Sequence, residues 1–224
     1  QLGSAQIAAM SAAQVKAIET VDLNAMSTDQ VKALTATGVA GMSTSQITNM
    51  TNAQLSALTT AQVRNLTTAQ LEAMSTGQLA QFTTDQMGAL STAQVAALST
   101  DQAAALTTAQ VQAIATDDVQ ALSTSAIAVL SSSQVQALST AAVNALTTDQ
   151  VLALTTSQVS ILTTGEVAAL NTSQVAALST DQVQALTLPQ LTSLSNTQVS
   201  ALSATQVGAL TSTQLYGLVT AARD

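Results

Sequence analysis

From Gly3 to Leu218 apolar residues recur at two fixed addresses in every eight, without an insertion or deletion, which makes 27 consecutive octads. Positions are numbered 1 to 8 on the pattern Ser179-Thr180-Asp181-Gln182-Val183-Gln184-Ala185-Leu186. Position 5 is Val, Ile, Leu or Met in 26 octads, Ala103 being the exception, and position 8 is Leu, Ile, Met or Phe in all 27. Position 7 is usually Ala, while positions 3 and 6 vary freely. Positions that never turn polar, among others that do, are the predicted core.

The polar positions carry a second signal. Position 1 is Ser or Thr in 23 octads and position 4 is Gln in 21. Ser/Thr followed three residues later by Gln is a capping box: the hydroxyl accepts from the backbone N–H of position 4, and the Gln reaches back to the N–H of position 1. The residue before the cap and the residue at position 5 are both apolar, which supplies a hydrophobic staple. Asp29, Asp85, Asp101, Asp117, Asp149 and Asp181 all fall at position 3, near the positive end of such a helix. Lys16, Lys32 and Arg64 fall at position 6, toward its other end, and the single proline, Pro189, falls in the first turn, where a missing N–H costs least.

Each octad is therefore expected to form one short helix over positions 2 to 8, with a bend at each Ser/Thr. One long helix is excluded, because eight residues overshoot two turns by about 80° and would wind the apolar stripe around the axis. A coiled coil fails for the same reason. A strand reading leaves each face half polar, although a β-solenoid with turns at Ser-Thr stays open as the alternative. Helices this short are unstable alone, so the chain must coil and stack turn on turn. The expected fold is an all-α solenoid covering residues 3–218, with a partial repeat at 1–2 and a degenerate end at 219–224. There, Val219 stands where Ser/Thr belongs and Arg223 where an aliphatic belongs. Five of the six position-3 Asp residues lie in odd-numbered octads, which hints at an even number of octads per turn.

Composition narrows function by exclusion. A net charge of -8, from 4 basic and 12 acidic residues, leaves no basic footprint for nucleic acid. No apolar run approaches the length of a membrane span, and no signal peptide is visible. The chain does not start with Met, so it is expected to be processed or cut from something longer. With no Cys and no His, neither thiolate nor imidazole chemistry is available, and Ser and Thr are explained by capping. No catalytic residue, cofactor or metal site is expected, and the protein is expected not to be an enzyme. Asp117-Asp118 reads as two first-turn acids rather than a cation site. Glu19, Glu72 and Glu166 read as solvated or capping residues. Met10, Met26, Met42, Met50, Met74 and Phe82 at position 8, and Met87 at position 5, read as core. Tyr216 is the one aromatic expected at the surface. Between Arg64 and Arg223 there is no Lys or Arg, so trypsin has no site over most of the chain.

The L-[ST]-T-x-Q-[VIL] string, as in Leu146-Thr147-Thr148-Asp149-Gln150-Val151, resembles the octapeptide arrays of very large secreted or surface-attached bacterial proteins of adhesin-like type. The resemblance implies export to the cell surface or medium and a structural or adhesive role. The calcium-binding nonapeptides that accompany type I secretion are absent. The expected function is a fibre, filament or stalk, with end-to-end self-association or neighbouring domains of a longer chain as partners. The alternative is a binding solenoid that recognises a glycan, a surface or ice through repeated Ser/Thr/Gln faces, the ice case resting on Thr at position 2 in 18 octads.

Overall fold

The computed structural model describes residues 2–221. Gln1 of the partial repeat and Arg223 of the degenerate end lie outside the described residues. Among the described residues there are 27 α-helices and no strand. The helices run from α1 (Ser4–Ala8) to α27 (Ser212–Ala221), one per octad, and every one begins at position 2. The protein is an all-α solenoid, and the β-solenoid alternative is set aside.

The caps form as the spacing demands. In octad 23, Gln182 N–H donates to Ser179 Oγ at 3.1 Å and Ser179 N–H donates to Gln182 Oε1 at 2.8 Å. Only the first, third and fifteenth octads, which start with Gly3, Glu19 and Ala115, lack a side-chain cap. The helices are shorter than expected, however. All but α27 end at position 7 or before, and where the helix reaches position 7 the position-8 residue is extended, as in Leu178 at φ -58, ψ 136. Residue 1 of the next octad is extended too, Ser179 lying at φ -68, ψ 162. The bend is thus a pair of extended residues, 8 and 1, and not the cap residue alone. Position 8 must leave the helix because its side chain has to turn into the core while the next cap starts. Its N–H is still satisfied by the carbonyl of position 5, as from Leu178 to Val175 at 3.3 Å. No described residue has positive φ, so the bends need no glycine.

Contacts group the chain into two compact units, Gln1–Ala121 and Leu122–Asp224. In the first unit helices pack chiefly on the third one after them, as α5 (Ala36–Ala40) does on α8 (Thr60–Asn65). Position 5 is sealed, with Val31, Leu55 and Val63 at 0 % exposure. Position 8 lines the same core, with Leu34, Leu58 and Leu66 also buried. Each buried aliphatic contributes about 1.5–3 kcal/mol, which is what holds five- and six-residue helices in place. The second unit repeats the scheme, α18 (Thr140–Ala145) packing on α21 (Thr164–Ala169) around Val143, Leu146 and Val167.

A third buried position was not expected. The Gln at position 4 is sealed in nearly every interior octad; Gln62 and Gln174, for example, are each 1 % exposed. Its Oε1 serves its own cap while its Nε2 crosses to the preceding turn. Gln62 Nε2 donates to the carbonyls of Val31 at 2.8 Å and Leu34 at 2.7 Å. In the second unit Gln182 reaches Val151 at 2.9 Å and Leu154 at 2.6 Å. These acceptors are positions 5 and 8 of the fourth octad back, whereas the helices pack on the third. One turn therefore holds between three and four octads, and the even whole number hinted at by the Asp pattern is corrected. A polar side chain is tolerated here because both its amide hydrogens and its oxygen have partners.

Replacing Gln62 with Leu is expected to lower stability by about 2–4 kcal/mol, since it strips a donor pair from two buried carbonyls and an acceptor from the Thr59 N–H. Denaturant unfolding checks this, with Ala61→Gln at an exposed position as a near-neutral control. A second expectation concerns register. Deleting residues 179–186 should leave a folded, slightly less stable solenoid, whereas deleting 183–186 should collapse helicity and cooperativity around the cut, as read by circular dichroism. A silent four-residue deletion would sink the octad model.

Candidate functional site

Within each unit the interior polar groups are chiefly the position-4 glutamines, and the departures from them are the places where something other than architecture could act. Position 4 carries Asp22, Gly38, Asp118, Ala126, Ala142 and Glu166 in place of Gln. Glu166 is buried at 3 % exposure, which corrects its reading as a solvated residue and supports the capping one. Its Oε2 accepts from Thr163 N–H at 2.6 Å, so a carboxylate closes the cap as an amide does. It has no second-side donor for the carbonyls of Val135 and Leu138, which stand at the same offsets that the glutamines serve. Asp118 lies beside Asp117 in a four-residue helix, α15 (Thr116–Val119), both acids being in its first turn as expected. Asp118 accepts from the Thr92 hydroxyl.

Other expectations can be placed residue by residue. Lys16, Lys32 and Arg64 lie in the last turns of their helices, and Asp29, Asp85, Asp101, Asp149 and Asp181 in first turns. Met42, Met50, Met74, Met87 and Phe82 are core, whereas Met10 and Met26 are only half-buried. Glu19 and Glu72 are exposed. Tyr216 is 74 % exposed. Among the described residues no three His, Cys, Asp or Glu side chains gather to hold a metal ion, and no helix is long and apolar enough to cross a membrane.

One concavity stands out, a groove of about 530 Å³ at the N-terminal end of the first unit. Met10, Ile18 and Met26 line its floor, with Leu2, Glu19 and Asp22 around them. These methionines and Ile18 occupy position 8, which is buried from Leu34 through Leu194. The groove is thus lined by core-type residues of the first octads. Glu19 and Asp22 replace both polar members of a capping box in octad 3, and the Glu19 side chain makes no cap bond.

The architecture defines a class: α-solenoids built from capping-box octads, with a glutamine amide tying turn to turn. Within that class the chain belongs to the ALTTAQ-repeat family, whose model matches residues 15–52, 49–84, 80–116, 111–148, 135–164 and 161–188. The family's signature string stands unaltered at Ala105-Leu106-Thr107-Thr108-Ala109-Gln110. It spans the end of one octad and the capping box of the next, which are the bend and the bridge. No curated protein matches the chain at a significant level.

Replacing Glu166 with Gln is expected to add the missing pair of donors and raise stability by about 1 kcal/mol. Thermal and denaturant melts of the single variant check it; a loss of stability would show that the carboxyl has a role the amide cannot fill.

Proposed function

We propose that this protein is a non-enzymatic structural element, a stalk, fibre or filament working outside the cell. The observation that carries this reading is the use of its interior polar groups. The described buried side-chain nitrogen and oxygen atoms all have partners, and the partners belong to the turn-on-turn lattice. Little is left for substrate chemistry, and the outer face carries few charges and no aromatic cluster. Scarcity of Lys and Arg removes tryptic sites, which suits a chain exposed to proteases. The adhesin-like resemblance of the octads supports the same location.

The binding-face alternative is less well supported. A flat ladder of hydroxyls requires Thr residues of successive turns to stand above one another. A turn of between three and four octads staggers the position-2 Thr side chains instead.

Small-angle X-ray scattering on variants with four, eight and twelve added octads tests the structural reading. The maximum dimension is expected to grow in proportion to the octads added, with the helical signal per residue unchanged. A particle that swells equally in all directions would overturn it. Antibody labelling of intact source cells, compared with lysed ones, decides the location.

A further inference from the structure

We infer that Asn49 and Asn65 are acceptors of N-linked sugar, each taking a glycosyl group on its side-chain amide nitrogen from a phosphate-activated sugar donor. This rests on the reading of the chain as one that works outside the cell.

The repeat does not account for these two residues. Position 7 is usually Ala, and Asn stands there only in octads 6 and 8, although Asn is a poorer helix former. Other asparagines have structural tasks. Asn144 Nδ2 donates across the turn to the Ala169 carbonyl at 2.5 Å, and Asn171 Oδ1 closes a cap by accepting from Gln174 N–H at 3.0 Å. Asn49, directly after α6 (Thr44–Thr48), and Asn65, the last residue of α8, bond only within their own octads. Asn49 Nδ2 donates to the Ser45 carbonyl at 2.8 Å, and Asn65 Nδ2 to the Ala61 carbonyl at 2.9 Å. Both residues are exposed.

The bend completes the motif. The next octad opens on a capping Thr, so each Asn begins an Asn-x-Thr: Asn49-Met50-Thr51 and Asn65-Leu66-Thr67. Asn followed two residues on by Ser or Thr, with any residue but Pro between, is the acceptor pattern for N-linked glycans on exported chains. Each Thr hydroxyl accepts from the N–H of its position-4 Gln, Thr51 at 3.2 Å and Thr67 at 3.1 Å, and so keeps its own hydrogen to donate. In the transfer the amide nitrogen attacks the anomeric carbon of the donor. The new C–N bond forms, the bond from carbon to the phosphate oxygen breaks, and the phosphate leaves with the electron pair. One amide proton passes to a base of the transferase. Nδ2 retains its second hydrogen, so the bonds to Ser45 and Ala61 persist in the product and neither helix has to open. A chain with only 7 % charged residues gains from the sugar a hydrated coat that its own side chains do not supply. Asn171-Thr172-Ser173 has the same spacing, but capping already accounts for its Asn.

Mass spectrometry of the full chain from its source cells tests the inference. Trypsin cuts after Lys32, Arg64 and Arg223, so Asn49 falls in peptide 33–64 and Asn65 in peptide 65–223. Both peptides are expected to exceed their sequence masses by whole sugar residues, which fragmentation places on Asn49 and Asn65. A single sugar identifies a nucleotide sugar as the donor, and a preassembled block identifies a lipid-linked oligosaccharide; either supports the assignment. Asn49→Gln with Asn65→Gln should lose the added mass at unchanged helicity. Thr51→Asn with Thr67→Asn should lose it too, because Asn171 shows that an Asn closes the cap while the hydroxyl is gone. Thr51→Ser with Thr67→Ser should keep it. Bare Asn49 and Asn65, sugar confined to other residues, or sugar retained by the Thr51/Thr67 asparagine variant would overturn the assignment. Antibody labelling of the same cells separates the two readings. Bare asparagines on a surface-exposed chain sink the glycan and leave the location standing, and modified asparagines on an internal chain do the reverse.

Discussion

A single amide does two tasks in each octad, and the fold depends on their coincidence. Its oxygen takes the N–H of the cap residue three positions back, and its nitrogen takes two carbonyls of the turn beneath. Gln46, Gln62, Gln174 and Gln182 make the same contacts at nearly the same distances. Bound at both ends and buried, the side chain cannot be shortened or turned over without stranding a backbone group, which costs about 1–3 kcal/mol each time. Local helix start and long-range stacking are thereby coupled in one residue. That coupling explains why the period is rigid: an insertion of one residue would move the amide away from both partners together.

The sequence revealed the local half of this arrangement. Ser179, Gln182, Val183 and Leu186 announce a cap, its closure and two core addresses, and the helix starts fall where the capping box puts them. The bend was misplaced by one residue, because a capping box marks where a helix begins and says nothing of where the previous one lets go. The cross-turn half was missed. A capping box accepts Glu as readily as Gln, so the near-exclusion of Glu from position 4 was the available clue: only an amide has hydrogens to give to a second turn. The turn length was illegible for a related reason. It arises from helices packing on their third neighbour while amides reach the fourth, and no single octad carries a trace of that offset. The open groove at Met10, Ile18 and Met26 was likewise hidden, since these residues match the core pattern.

The family signature gains a physical meaning from this geometry. In Ala105-Leu106-Thr107-Thr108-Ala109-Gln110 the Leu bends and fills, the first Thr caps, and the Gln bridges. Small residues at positions 7 and 3 keep the helices close without adding chemistry of their own. Because the bend uses only extended backbone, it asks nothing of glycine, and positions 3 and 6 are left free to vary. A protein so built lengthens by repetition.

The amide bridges also have a direction. Each one runs from a later octad to one about 30 residues earlier, so every turn is templated by chain already made. A polypeptide emerging from its N-terminus, from a ribosome or across a membrane, can dock each new octad as it appears. No octad in the middle has to wait for a distant C-terminal partner, and the separation between contacting segments stays constant however long the array becomes. Pulling on the last octad should correspondingly release the solenoid from its end, one turn at a time, rather than all at once.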